Sequence, residues 1–502
     1  MRVLLINPFV EQMHRELSLA DNFRNPLGLA FLAAVLEREG YDVEILDALL
    51  LGVRFPRLEK ILRKKRPDVV GISTYTPTRY ECFRTADVVR ETLGGDVKIV
   101  FGGPHASAVP EDTLEEVKSA DFIVRGEGEY SFLELIETLK NGGDPSKVLG
   151  ISGRLNGAIF HAEDRPNIED LDALPMPARH KLPMNRYGTR MPSTMRRIAT
   201  VLTSRGCPAR CIFCTRDWMS RKPRYHSPQR IADEVEEVLT RYNVEGIIFQ
   251  DDTFTLNNRR VFEFCDEVAK RKLKFKWLAT TRVDCVTKEL LKAMKGAGLE
   301  VLTVGAESML PETLKWLKKG FTVEQVKQTV KWANELGLVI RCTYLMGIGN
   351  ESEEDVRLSA QLARELEVSK LKANVGLSIY PGTPVYGMSM EAGVLSKDYS
   401  FARGYQDPEK RYGNDETPRW YTEKVPLERL LQLRKETEIN ILFTKLTPRT
   451  VAHRARKLAV NFRRHPLETC RRIGLFASSL VKGSGLRSAS SKEECKPEDH
   501  DG

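Results

Sequence analysis

Short apolar runs alternate with longer amphipathic stretches over the first 140 residues. The runs at 3–7, 43–46, 69–73, 99–101 and 122–124 have the length of buried strands, and segments 27–39, 58–65, 80–93, 111–118 and 130–141 repeat apolar positions at helical spacing. Five such units predict a parallel sheet with helices on both faces, a Rossmann-like doubly wound domain over residues 1–150. The alternation returns with strand-like runs at 198–204, 246–250, 275–280, 300–304, 339–345 and 373–379, separated by helical patterns at 228–242, 260–271, 288–297, 323–336 and 353–366. Six βα units fall two short of a closed eight-stranded barrel. The expected α/β fold therefore continues as a partial (βα)6 TIM-type barrel over residues 196–390.

Residues 151–195 read as a Pro-rich connector whose apolar residues, Leu171 and Leu174 among them, predict packing on both domains rather than free swinging. Residues 391–482 read as a mostly helical carboxyl-terminal substrate and membrane region, with a helical pattern over 427–442. The end, 483–502, is rich in Ser, Lys, Glu and Gly and is expected to be a disordered tail.

An apolar content of 41% in 502 residues is enough to build cores, and no run of 18 apolar residues predicts a membrane span. The apolar run at 3–6 is too short for a signal-peptide core. Nine cysteines, six of them standing singly at Cys82, Cys265, Cys285, Cys342, Cys470 and Cys495, are not a disulfide framework. Together these features predict a cytoplasmic enzyme, with peripheral membrane attachment as an option raised by its charge. The net charge of +9 is concentrated in residues 441–490, where eleven Lys or Arg face Glu468 alone and leave the rest of the chain close to neutral. Apolar residues interleave with these charges, which suits an anionic membrane surface through 441–482; solvated helices are the alternative, and nucleic acid is not expected as a partner.

Folds of both kinds bind ligands at the carboxyl ends of their strands. In the first half those ends carry Asn7, Ser73-Thr74-Tyr75, Gly102-Gly103-Pro104-His105 and Gly126-Glu127-Gly128-Glu129, whose glycines either let backbone approach a large flat ligand or make ordinary turns. In the second half they carry Asp251-Asp252, Arg282 with Asp284, Glu307 within Val-Gly-Ala-Glu-Ser, and Gly347-Ile348-Gly349. Asp252 or Asn257 as a helix cap and an Arg282–Asp284 ion pair are the competing structural roles. After the first strand of this half stands Arg-Gly-Cys207-Pro-Ala-Arg-Cys211-Ile-Phe213-Cys214. Three thiolates at CxxxCxxC spacing can hold an iron–sulfur cluster and leave one iron open. A structural zinc site needs a fourth ligand, for which His226 is the candidate.

The cysteine run, with Phe213 before its third cysteine, resembles the radical SAM superfamily. Pro26-Leu27-Gly28-Leu29, Ser73 with Thr74, and the two glycine-rich strand ends together look like the cobalamin-binding domain that precedes many radical SAM domains, so that the likeness spans residues 1 to about 390. It implies a 4Fe-4S cluster on Cys207, Cys211 and Cys214 and S-adenosyl-L-methionine (SAM) on the open iron. SAM would meet Phe213, Asp251, Asp252, Arg282, Glu307, Gly347 and Gly349, and cobalamin would meet Asn7, Ser73, Thr74, Gly102, Gly103, His105, Gly126 and Glu127. The DxHxxG motif that places histidine under cobalt is absent, since His14 stands in Glu-Gln-Met-His-Arg-Glu. Cobalamin held without a protein histidine is implied; an empty domain is the alternative.

The implied activity is methylation of an unactivated carbon in a small-molecule or lipid-like substrate, with an electron donor such as flavodoxin or ferredoxin. An oxidative or ring-forming reaction on a lipid or porphyrin is the alternative within the family, and a zinc-stabilised tetrapyrrole carrier without catalysis the alternative outside it. Methylthiotransferases carry further cluster cysteines in their first domain, whereas residues 1–200 here hold Cys82 alone. For the basic segment, each Lys or Arg facing the lipid contributes about 1 kcal/mol near an anionic surface. Cosedimentation is expected to be strong with anionic vesicles, weak with neutral ones, and reduced by salt; equal binding to both vesicle types refutes the membrane role.

Overall fold

The computed structural model describes residues 1–20, 23–188, 197–214, 220–407 and 417–443. The basic segment 444–482 and the tail 483–502 lie outside the described residues.

The first sheet contains β1 (Arg2–Asn7), β2 (Asp42–Asp47), β3 (Val69–Ser73), β4 (Lys98–Gly102), β5 (Phe122–Val124), β6 (Ile151–Leu155) and β7 (Ala158–His161), in the order β2-β1-β3-β4-β5-β6-β7. The first five are parallel and lie within a residue or two of the apolar runs, because strands covered by helices on both faces are continuously apolar. One face packs Phe83, Ala86 and Val89 of helix Arg79–Leu93, and the other Leu29 and Ala33 of helix Leu27–Arg38 with Leu135 of helix Gly128–Lys140. The order reverses between β1 and β3, which makes their carboxyl ends the switch point where such sheets bind ligands. One departure is the hairpin β6–β7, which adds antiparallel to β5 and carries the sheet to His161, inside the stretch read as connector. Its burial alternation is weak, since β7 is an exposed edge strand.

The rest of the connector is anchored. Ile168, Leu171 and Leu174 pack with Leu27, Phe31 and Val35 of the first domain, while buried Arg179 donates to the Thr200 carbonyl at 2.7 Å.

The second sheet holds β8 (Ile198–Val201), then, past a small antiparallel ribbon of β9 (Ser204–Arg205) and β10 (Arg224–Tyr225), β11 (Gly246–Phe249), β12 (Lys276–Thr281), β13 (Leu299–Glu307), β14 (Val339–Met346) and β15 (Lys370–Val375). Its six strands are parallel and in sequential order, a partial barrel. Between this sheet and its helices, Trp277 is fully buried among Phe249, Phe254 and Phe264 and donates its indole N–H to the Ala297 carbonyl at 2.9 Å. The last strand sits earlier than its pattern suggests, at 370–375, because the chain turns at Gly376 (φ +67) before β16 (Leu377–Ser378) pairs with β17 (Arg419–Trp420). No helix among the described residues is long and apolar enough to cross a membrane.

Candidate functional site

The cysteine loop leaves β9 and returns through β10, so residues 206–223 are closed at their base by an antiparallel pair, Arg205 opposite Arg224. Gly206 turns with φ +88, and a Cβ there would stand 2.7 Å from the Ser220 carbonyl oxygen. That close approach, together with the left-handed turn, demands glycine. Cys207 and Cys211 are buried and Cys214 is half-buried. Cys207 Sγ lies 3.5 Å from Thr253 Oγ1, and the Arg282 guanidinium 3.7 Å from Cys211 Sγ. Ile212 is tied at both backbone groups, donating to the Leu317 carbonyl and accepting from the Val385 N–H.

Among the described residues no three His, Cys, Asp or Glu side chains converge as a single ion requires, and His226 is hydrogen-bonded to Asp172 at 2.9 Å. His226 is thereby occupied as the candidate fourth zinc ligand, whereas a four-iron cluster takes each thiolate on a different iron and asks for three cysteines spread apart on one loop. Three thiols on a loop pinned at its base fit that group. Among the single cysteines, burial pushes the thiols of Cys82 and Cys265 up to about 12 and that of Cys285 up to about 11, so their thiolates form less readily.

The barrel strand ends sort into clamps and candidate contacts. Asp251 is buried; its Oδ1 accepts from the Thr203 N–H at 3.1 Å, from Thr203 Oγ1 at 2.7 Å and from the Ser204 hydroxyl. It therefore fastens the segment leading into the cysteine loop, a structural duty that the expected grip on SAM did not include. Asp252 is exposed, and Asn257 supplies the cap of the next helix by accepting from the Arg260 N–H. Arg282 makes the fork with Asp284 (3.0 and 2.8 Å), donates to the Lys319 carbonyl, and keeps Nη1 toward Cys211. Burial opposes its charge, but Asp284 outweighs that and holds the guanidinium above its usual range.

Glu307 has the backbone of a strained position, φ +60 at a bulge where β13 shifts register against β14. Its carboxylate accepts from Lys319 Nζ and Thr343 Oγ1, each at 3.3 Å. A Cβ on Gly305 would lie 2.4 Å from Glu307 Oε1, so that glycine makes room for the carboxylate. Lys319, which the sequence reading missed, is buried with Nζ 5.5 Å from the Phe213 ring centre. Its two neighbours in sequence, Lys318 and Gly320, give no signal; only the fold brings it to Phe213. Gly347 and Gly349 do turn at positive φ, but the sides on which a Cβ would project are filled by Leu430 and Trp316. Both turns are thus closed by packing on that side, which leaves their backbone as the part that could line the adenine.

At the ends of the first sheet several expected cobalamin contacts have partners within the protein. Asn7 donates to Asp47 at 2.8 Å, and Asp47 also accepts from Tyr187 at 2.6 Å. Thr74 is fully buried, donating to the Gly102 carbonyl at 2.8 Å. Gly103 (φ +101) is required because a Cβ would meet the Thr74 carbonyl oxygen at 2.7 Å. His105 is wholly enclosed by Phe83 and Phe401, with Nδ1 on Thr76. Phe401 comes from a loop beyond the barrel, held by Arg79 donating to its carbonyl at 2.6 Å. Gly102, by contrast, faces open space, with Val124 O, the nearest atom to a Cβ, 3.9 Å away, and Ser73 is half-buried. Tyr75 is 52% exposed, the most exposed large apolar side chain among the described residues, on backbone locked by Thr74 before it and by Thr78 hydrogen bonds to its carbonyl. An open backbone and a projecting ring at the switch point fit a flat tetrapyrrole. His14 is committed elsewhere, with Nδ1 2.5 Å from the Leu49 carbonyl oxygen.

Glu127, the last of the expected cobalamin contacts together with Gly126, points into the protein. It pairs with Arg224 at 2.7 Å and Arg205 at 3.3 Å, and accepts from the Ile168 N–H at 2.7 Å; Glu129 pairs with Arg205 at 2.6 Å. These charges join the first domain to the base of the cysteine loop. Against its burial, Arg224 and Arg205 hold the Glu127 carboxyl below the usual range.

Comparison with known proteins agrees with this arrangement. Residues 201–363 match the radical SAM superfamily and residues 20–136 the B12-binding domain. The uncharacterized methyltransferase PH0819 of Pyrococcus horikoshii is 33% identical over 397 residues, covering 79% of this chain and 84% of that one. The chain belongs to the cobalamin-dependent radical SAM family. The anaerobic magnesium-protoporphyrin IX monomethyl ester cyclase of Rubrivivax gelatinosus is 31% identical, over 73% of this chain and 66% of its own. The family's fold is also that of the radical SAM methyltransferase TsrM from Kitasatospora setae, with a TM-score of 0.64 at 20% identity over 78% of each chain. The cofactors of the family are a 4Fe-4S cluster, SAM and cobalamin, and its chemistry requires a substrate and a reductant.

Three outcomes follow for residues at these strand ends. Asp251→Ala strands Thr203 and Ser204 and is expected to cost about 2–3 kcal/mol, as loss of buried hydrogen bonds to a charged group does, and to lower iron retention after anaerobic reconstitution. Asp252→Ala, on the surface, is expected to change stability by less than about 0.5 kcal/mol. His105 is held by burial, and next by the Arg79 charge, at a pKa of about 3 against an ordinary 6.5. Below about pH 6.5 the unfolded chain takes up a proton that the native state refuses until about pH 3, so this group lowers stability as pH falls through that window. His105→Phe should flatten the acid limb of stability in urea melts at stepped pH; an unchanged slope refutes the assignment.

Proposed function

We propose that the protein is a cobalamin-dependent radical SAM C-methyltransferase. The observation that carries the reading is the common base of the two halves: the loop bearing Cys207, Cys211 and Cys214 is fastened by Arg205 and Arg224 to Glu127 and Glu129 at the strand ends of the B12-binding domain. Cofactors at these two places would stand on neighbouring edges, as transfer between them requires.

When bound, these cofactors supply hydrogen abstraction from an unactivated carbon and a transferable methyl group. The three cysteines would each hold one iron, and Phe213 with Lys319 and Glu307 would line the place beside the open one. Lys319 offers its ammonium to a carboxylate, and Glu307, strained and half-neutralised by Lys319, accepts from amino or hydroxyl groups. Arg282 sets a fixed positive charge against a thiolate. Tyr75 and Gly102 would meet the tetrapyrrole from the first sheet, with Ser73 beside them. Substrate selectivity is assigned to residues 391–443, where Trp420 stacks edge-on to Trp316 at 6.3 Å. A small reductant such as flavodoxin or ferredoxin would deliver the electron. A small-molecule or lipid-like substrate is inferred, with the basic segment 441–482 as a peripheral membrane contact.

Similarity to a cyclase keeps a second reading alive, ring formation or oxidation on a porphyrin or lipid. Anaerobic incubation of reconstituted protein with methyl-deuterated SAM, a reductant and host extract separates them. Methyl transfer yields a product bearing the deuterated methyl group, lost in Cys207→Ala, Cys211→Ala and Cys214→Ala together with the iron, but kept in Cys82→Ala. Release of 5′-deoxyadenosine with substrate oxidation and no labelled product would overturn methylation in favour of the cyclase type.

A further inference from the structure

Two buried arginines bracket the cysteine loop. Arg205 stands two residues before Cys207 and Arg224 where the loop ends, and they face each other across the ribbon. Their side chains are 7% and 3% exposed, and those of Glu127 and Glu129 are 6%. Arg205 spends its two terminal nitrogens on two different carboxylates, while Arg224 shares Glu127 and also donates to the Ile168 carbonyl at 2.7 Å. The Phe31 ring lies 5.4 Å from the Arg205 guanidinium and shields it. On the other side the network runs into the rim of the first sheet, because Gly126, beside Glu127, donates its N–H to Ser107 Oγ at 3.1 Å.

We propose that this quartet couples the two cofactor sites, with Arg205 and Arg224 as positioning residues, so that occupancy at the rim of the B12-binding domain governs how firmly the cysteine loop keeps its cluster. The proposal rests on the cofactor assignment above. Both carboxylates belong to the rim, so an Arg205 that moved away with the loop would leave buried charges unpaired on both sides. Loop and rim therefore shift together or not at all. A lysine supplies the charge on a single nitrogen, without the rigid fork that sets one Arg205 nitrogen against each carboxylate. Thermodynamic linkage makes the effect mutual: whatever factor cobalamin adds to cluster binding, the cluster adds to cobalamin binding.

The test uses full-length protein reconstituted with iron and sulfide. Iron release to a chelator is timed with and without saturating hydroxocobalamin, and hydroxocobalamin affinity is titrated by absorbance with and without the cluster. Cobalamin is expected to slow iron release by about fivefold or more, the lower range of allosteric coupling. Arg205→Lys, and Glu129→Gln as the milder variant should the first not fold, should load both cofactors but release iron at a rate indifferent to cobalamin. Lys222→Ala, which removes an exposed pair with Glu169 on the same loop, should keep the coupling. Equal release rates in the native protein with both cofactors loaded, or full coupling in Arg205→Lys or Glu129→Gln, overturn the proposal. Failure of the native protein to load iron or cobalamin, read from iron content and absorbance, overturns the cofactor assignment and this coupling with it.

Discussion

Two arginines and two glutamates withdrawn from water between the halves of the protein must satisfy one another. Exposed, such pairs contribute less than about 1 kcal/mol; buried, the loss of one partner costs about 3–5 kcal/mol because its mate keeps a charge with nowhere to go. The net gain in stability from the intact set is small, since desolvation offsets most of the attraction. What it provides is geometry: Arg205 reaches Glu127 and Glu129 together only when β9 lies at one distance and angle from the end of β5. The cysteine loop inherits that placement because it begins at Gly206.

The strand ends of the barrel are built on similar terms. Asp251 gathers three donors from Thr203 and Ser204, so the carboxylate that first suggests a ligand contact instead sets the path of the chain into the cysteine loop. Glu307 is the opposite case. Its positive φ costs energy that a structural residue would not need to carry, its neighbour at 305 must be glycine to leave it room, and its partner Lys319 is a buried cation beside Phe213. Strain plus a buried charge pair marks a functional place more firmly than position at a strand end does.

Eleven parallel strands were legible as apolar runs: β1 and β3 are buried along almost their whole length, whereas β14 and β15 alternate buried with less buried positions yet keep enough apolar residues to show. The hairpin β6–β7 was not, since an exposed edge strand such as β7 lacks that burial. Nor was the return of Tyr405 onto Phe83 and of Phe401 onto Arg79 of the first domain, where partners over 300 residues apart leave no periodic trace. The burial of His105 against Phe401 of that loop was equally invisible in the sequence.

The cysteine spacing pointed to an iron–sulfur cluster with zinc as the alternative, and the resemblance of the run around Cys207, Cys211 and Cys214 to the radical SAM superfamily supplied the chemistry class; both were readable because ligands on one short loop have a separation set by covalent geometry. Apolar periodicity likewise determined the two sheets, since burial on both faces is a local property of the sequence. Which acidic and polar groups at the strand ends meet ligand was decided by tertiary structure. A carboxylate takes its role from the cation or N–H that neutralises it, and for Glu127, Asp251 and Glu307 those partners lie 97, 48 and 12 residues away. Tyr75 remained outward, and His105 inward, for the same reason: exposure is a property of what packs against a residue, and no residue states that on its own.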